Sequence, residues 1–158
     1  MTASQYDVVV VGSGCAGLTA AIGLARAGFA VAVVESDKSA GSSGMLGGIC
    51  SAESLIQPDI LGPECVEALA WERRLIERGS FATDGRRIAG AIYRDADAFQ
   101  SSYTILRPHF THNLAELARS CGIAVRTETT VESLIREGRS IIGVATTRGP
   151  LYAQLVFL

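Results

Sequence analysis

The stretch from Tyr6 to Glu35 reads YDVVVVGSGCAGLTAAIGLARAGFAVAVVE, and the order of its residue types decides the architecture. Tyr6 to Val11 is a continuous apolar run rich in β-branched valine, the composition of a strand buried on both faces. Gly12 to Gly17 is a glycine-rich turn. Cys15 to Ala27 consists of strong helix formers with almost no polar face, which predicts a helix packed inside the domain and stopped by Gly28. Ala30 to Glu35 predicts a second buried strand that ends in an acid.

Gly12-Ser13-Gly14-Cys15-Ala16-Gly17 has the spacing G-x-G-x-x-G, in the context that gives it meaning, after a strand and opening a helix. Gly12 permits the tight turn, Gly14 leaves room for a pyrophosphate to approach the backbone, and Gly17 lets the helix pack against the strand. The N–H groups and positive dipole end of the helix then hold a diphosphate. Glu35 follows at the interval where a carboxylate accepts hydrogen bonds from adenosine ribose hydroxyls, and an acid there disfavours a ribose phosphate. The hexapeptide alone is a weak signal. Asp7, the valine run, three glycines, the Ala-rich helix, Gly28 and Glu35 all fall in register, and that agreement carries the reading.

From Ser36 to about Gln57 the chain is rich in Gly and Ser and reads mostly as loop, and a loop of that length usually has a function. Glu64 to Ala70 reads as a short helix, and Arg74 to Tyr93 as strands around the Asp84-Gly85 turn. Ser102 to Leu106 predicts a strand. Pro108 to Cys121 predicts a helix, with Pro near its start and Gly122 just past its end. Ile123 to Thr127 predicts another strand. Thr130 to Arg136, Ser140 to Thr147 and Leu151 to Leu158 predict a three-stranded meander. The sum is an α/β, Rossmann-like domain with a parallel sheet and a β-meander.

A length of 158 residues suffices for one domain with its own core. The formal net charge of -2, with no basic stripe, gives no reason to expect nucleic acid as a partner. No apolar stretch reaches membrane-spanning length, and Met1 to Asp7 carries no positive charge of the kind a secretory signal needs. Cys15, Cys50, Cys65 and Cys121 are widely spaced, which reads as reduced thiols in a cytoplasmic protein rather than as a zinc or disulfide framework.

The segment Tyr6 to Glu35 resembles the amino terminus of the FAD-containing glutathione-reductase-like superfamily. Gly47-Gly48-Ile49, Trp71-Glu72-Arg73-Arg74, and Ser102-Tyr103-Thr104-Ile105-Leu106-Arg107 with Phe110 resemble the FixC group within it. That group includes electron-transfer flavoprotein:quinone oxidoreductases and is related to geranylgeranyl reductases. The resemblance runs over essentially the whole chain and implies FAD as cofactor. It implies that Arg107 reaches the FAD, that Val131 pairs with the adenine through its backbone, and that Gly47-Gly48 lies beside the flavin, where glycine allows close approach. It also implies a redox partner such as a quinone or flavoprotein. Residues 1–158 would be an incomplete FAD-binding domain, with 58–100 beginning a substrate-domain excursion. A second FAD motif, the rest of a substrate domain and any region of peripheral membrane contact would lie beyond Leu158.

The sequence departs from that pattern at four positions. Cys15 stands where many relatives have Pro or Ala, and Ser36 follows Glu35 where they often place Arg. Leu46 precedes the Gly pair in place of Ser or Thr, and Thr111 follows Phe110 in place of Asp. No catalytic acid, base or nucleophile stands out, as expected where a flavin carries the redox chemistry. Cys15 reads as an inert thiol, Cys50 as structural, and His109 with His112 as a solvated helix face rather than a metal pair. Rivals to the quinone-linked reading are a geranylgeranyl-reductase-like enzyme, a non-catalytic nucleotide-binding module and an NAD-binding domain. A homo-oligomer is compatible with all of them.

Overall fold

Valine at four consecutive positions makes β1 (Tyr6–Val11) a strand with no polar face, and the computed structural model buries Val8, Val9 and Val10 to 3% exposure or less. Residues 5–41, 48–51, 74–75, 81–83, 86–88 and 102–158 are described. α1 (Cys15–Arg26) follows the glycine turn and buries Leu18, Ala21 and Ile22. It is packed inside the domain along one stripe, while Ala16 and Arg26 are exposed. Gly28, at φ +93°, ends it. The Gly28 N–H donates to Ala25 O at 2.9 Å and the Phe29 N–H to Leu24 O at 3.1 Å, which closes the last turn on its own carbonyls.

β2 (Val31–Val34) is one residue shorter at each end than the Ala30–Glu35 expected, and all four of its residues are buried. α2 (Arg107–Ser120) buries Phe110, Thr111, Leu114, Ala115 and Ala118. Gly122, at φ +81°, terminates it in the same way as Gly28 terminates α1: its N–H donates to Arg119 O at 3.0 Å and that of Ile123 to Ala118 O at 3.2 Å. Each helix therefore turns directly into a strand of the sheet, the second being β8 (Ala124–Arg126).

Three long strands complete this unit: β9 (Val131–Glu137), β10 (Ser140–Thr146) and β11 (Leu151–Phe157). The six strands form one sheet in the order β8-β2-β1-β11-β10-β9. β1, β2, β8 and β11 are parallel, and β10 pairs antiparallel with β11 on one side and β9 on the other. β11 joins the two parts, with Leu151 and Tyr152 opposite β10 and its residues from Ala153 to Phe157 alongside β1. Val9, Ala32 and Val34 pack with Val144, Leu151 and Ala153 in a single buried cluster. Burial of each Val and Leu side chain among them contributes about 1.5–3 kcal/mol.

The chain divides into two compact units, residues 1–44 with 108–158 and residues 45–107. In the second, β3 (Gly48–Ser51), β4 (Arg74–Leu75) and β7 (Ser102–Ile105) form an antiparallel sheet in the order β3-β7-β4. β3 interrupts the stretch expected to be loop from Ser36 to Gln57. β5 (Phe81–Thr83) and β6 (Arg86–Ile88) pair antiparallel with Thr83 opposite Arg86, as expected of strands flanking Asp84-Gly85. The helix expected over Glu64 to Ala70 lies outside the described residues.

Candidate functional site

β1, β2 and β8 are parallel, and their carboxyl ends collect the residues singled out by the glycine pattern, where ligands bind in open α/β sheets. The Gly12 N–H donates to Val34 O at 2.8 Å, and Gly12 itself sits at φ +98°, a conformation that side chains rarely adopt. A Cβ at Gly17 would overlap the Gly12 carbonyl oxygen, so glycine there lets α1 start directly against the turn. Gly14 and Ala16 are exposed, and a Cβ built on Gly14 meets no atom within 4 Å. Gly14 is the N-cap of α1, with no side-chain capping bond and no acidic residue in the first turn. No acid within the first turn counters the positive end of the helix, and a side chain's first atom at Gly14 would have room, an arrangement that suits an anion.

Glu35 is fixed at both its backbone and its carboxylate. Its N–H donates to Arg126 O and its carbonyl accepts from the Thr129 N–H, both at 2.8 Å. Oε2 accepts from the Ser13 N–H at 2.9 Å and the Ser13 hydroxyl at 2.5 Å. Oε1 accepts from the Asp37 N–H at 2.9 Å and the Ser36 hydroxyl at 3.1 Å. Burial works against the charged form, but hydrogen bonds from the Ser13 side chain, the Asp37 and Ser13 backbones and the Ser36 side chain outweigh it and hold the carboxyl below its ordinary pKa. The Ser13 hydroxyl also accepts from the Gly41 N–H at 3.0 Å, which ties residues 36–41 to the glycine turn. Gly41, at φ +76°, lies so close to Thr111 that a Cβ there would overlap its side chain. The Thr111 hydroxyl lies 3.5 Å from Cys15 Sγ.

The predicted residues Gly12, Ser13, Gly14, Cys15, Ala16, Gly17, Glu35 and Ser36 thus belong to one structural unit at one end of the sheet. Val131 opens the edge strand β9, opposite Thr146. Gly48 begins β3 opposite Ile105, and Arg107 is the exposed first residue of α2; both fall in the second unit. Gly47 lies outside the described residues. His109 and His112 are exposed, and among the described residues no three His, Cys, Asp or Glu side chains group as metal ligands. Three contributors were not singled out by the sequence reading. Gly41 and Thr129 hold Ser13 and Glu35, and Glu128, at φ +49°, turns the chain after β8 with its N–H on Asp37 O at 2.9 Å. An acid followed by two threonines before a strand was the only local hint of that turn.

Residues 7–107 match the sequence pattern of the family described as FAD dependent oxidoreductase. The chain belongs to that family. Among curated relatives, Protein FixC of Bradyrhizobium diazoefficiens is 34% identical over the whole of this chain, which spans 37% of the relative. The Escherichia coli protein named "Probable electron transfer flavoprotein-quinone oxidoreductase YdiS" is also 34% identical, with the same two coverages. The chain therefore spans little more than a third of the curated relatives it matches. Among solved structures, a geranylgeranyl bacteriochlorophyll reductase-like protein from Thermoplasma acidophilum superposes with a TM-score of 0.74 at 23% identity, over 97% of this chain and 38% of that one. The myxobacterial chondrochloren halogenase CndH, described as a variant of FAD-dependent halogenases, superposes with a TM-score of 0.76 at 20% identity, over 96% and 36%. These two share the fold.

The cofactor of FAD-dependent oxidoreductases fits the residues present. An uncapped helix start under open space suits the diphosphate, and an ionised acid at the end of β2 suits the adenosine ribose.

Proposed function

We propose that this chain is the FAD-binding part of an oxidoreductase that passes electrons from a reduced donor to an acceptor such as a quinone. The observation that carries it is the glycine turn at a helix start with no acid in its first turn, with the ionised Glu35 fixed beside it. In this reading the N–H groups around Gly14, Cys15 and Ala16 hold the diphosphate, and Glu35 takes the adenosine ribose with Ser36 at its rim. Val131 meets the adenine through its backbone, and Gly47, Gly48 and Arg107 serve the flavin end. Bound FAD supplies the redox chemistry at its N5–C4a region, and the chain's own residues bind and orient it.

The quinone-linked acceptor is favoured by the identity, over the whole of this chain, to the Escherichia coli protein whose name carries it. Residues 58–100 are read as the start of a substrate-side excursion, in keeping with the separate compact unit at 45–107. Among the described residues no helix is long and apolar enough to cross a membrane. The wide spacing of the four cysteines favours a cytoplasmic parent protein, and its redox partner is read as a flavoprotein or quinone.

Titrating the chain with FAD, and separately with NADH, tests the reading by flavin fluorescence and thermal shift. Saturable FAD binding that disappears in Gly14→Val is the expected result. Binding of NADH in its place would overturn it.

A further inference from the structure

We infer that Ser13 is a positioning residue for the adenosine ribose: it locks one oxygen of the Glu35 carboxylate and leaves the other to recognise the ligand. This rests on the FAD-binding reading and deepens it. An ionised carboxylate oxygen accepts about two hydrogen bonds. Glu35 Oε2 has both filled by Ser13, from a side chain with 0% exposure and from its N–H. Oε1 is filled differently, by the Asp37 N–H and by the hydroxyl of the exposed Ser36. The Ser36 side chain is the one donor of the four that can turn to solvent without breaking the backbone or burying an unmade bond. A ribose hydroxyl therefore enters by replacing it at Oε1.

Ser13 is held for this task from a third direction. Its hydroxyl accepts from the Gly41 N–H, so the oxygen that orients Glu35 is itself oriented by the loop that follows β2. Loss of that hydroxyl would leave Oε2 with the Ser13 N–H alone and let the carboxylate turn. It would also leave the Gly41 N–H without its acceptor. The preference for a ligand bearing ribose hydroxyls is then the property that changes, beyond any general weakening.

The test measures ADP and 2′,3′-dideoxy-ADP binding to the full chain by calorimetry. Wild type should prefer ADP. Ser13→Ala should lose about tenfold in ADP affinity, the scale of one hydrogen bond to a charged group, and change dideoxy-ADP by less than about twofold. Adding Ser13→Ala to Glu35→Gln should cost little further, because the serine acts through the acid. Ser13→Cys keeps the shape with only a weak donor and should reproduce the alanine result, which secures the test if the alanine variant folds poorly. Equal losses for both ligands, or losses that add in the double variant, would overturn the inference while the FAD-binding reading stands. A wild-type chain that binds neither nucleotide would overturn both.

Discussion

Gly17 meets Gly12 so closely that a Cβ at residue 17 would overlap the Gly12 carbonyl oxygen and press on Val10 Cγ1, 3.3 Å away. The oxygen belongs to backbone that is fixed by the Gly12 N–H bond to Val34 O, so it has nowhere to move. Gly17→Ala should therefore destabilise the fold by about 1–3 kcal/mol, the range for a forced contact in a packed region. Urea unfolding of the two proteins measures it. A variant as stable as wild type would mean that α1 can slide away from β1 at no cost.

Gly14 predicts the opposite pairing of effects. It sits at φ -68°, and its Cβ would face open space. Gly14→Ala should leave stability within about 0.5 kcal/mol of wild type, as for surface substitutions without special contacts. FAD affinity should fall, because in the proposed reading the methyl group stands where the diphosphate approaches. Unfolding and fluorescence titration on one preparation separate the two. Unchanged affinity would place the diphosphate elsewhere.

How much of this was legible in the sequence depends on how local the cause is. Tyr6 to Glu35 could be read because valine runs, glycine punctuation and helix formers act over neighbouring residues. Gly28 and Gly122 announced their helix ends for the same reason, and both adopt the left-handed conformation that makes glycine necessary. The glycine turn and Glu35 were legible as a pair because their spacing follows from one strand–helix–strand unit. The bond from Gly41 to Ser13 spans 28 residues, and the contact of Cys15 with Thr111 spans 96. Nothing in a local window encodes either. The division of β11 between an antiparallel and a parallel neighbour was equally silent, since both pairings ask for the same apolar residues.

Gly143 is a second position where backbone, rather than side chain, sets the limit. A Cβ there would overlap the Leu151 carbonyl oxygen and come within 2.9 Å of Tyr152 Cα. It lies beside an irregularity in the β9–β10 register, between Ile141 and Gly143, a common place for glycine in strands. Gly143→Ala should part β10 from β11 at their first pair and cost about 1–3 kcal/mol. Thermal melting checks it. Gly149, at φ +103° but with nothing within 4 Å of its Cβ, carries backbone strain without the clash and serves as the comparison.

Glu35 makes the stability of the whole unit depend on pH, and the sign follows from its bonds. Its folded pKa lies below the ordinary carboxylate value, because the donors from Ser13, Asp37 and Ser36 favour the ionised form more than burial disfavours it. A group depressed in this way contributes stability above its unfolded pKa and loses that contribution as pH falls through the folded value. Glu35→Gln places an amide N–H₂ against one pair of these donors, so it should be clearly less stable than wild type at neutral pH. The gap should narrow once the pH drops below about 4, where an unperturbed glutamate is mostly protonated. Denaturant midpoints for both proteins across the acid range decide the matter. A gap that stays constant down to the acid limit would show that packing, and not the charge held by Ser13, is what Glu35 contributes.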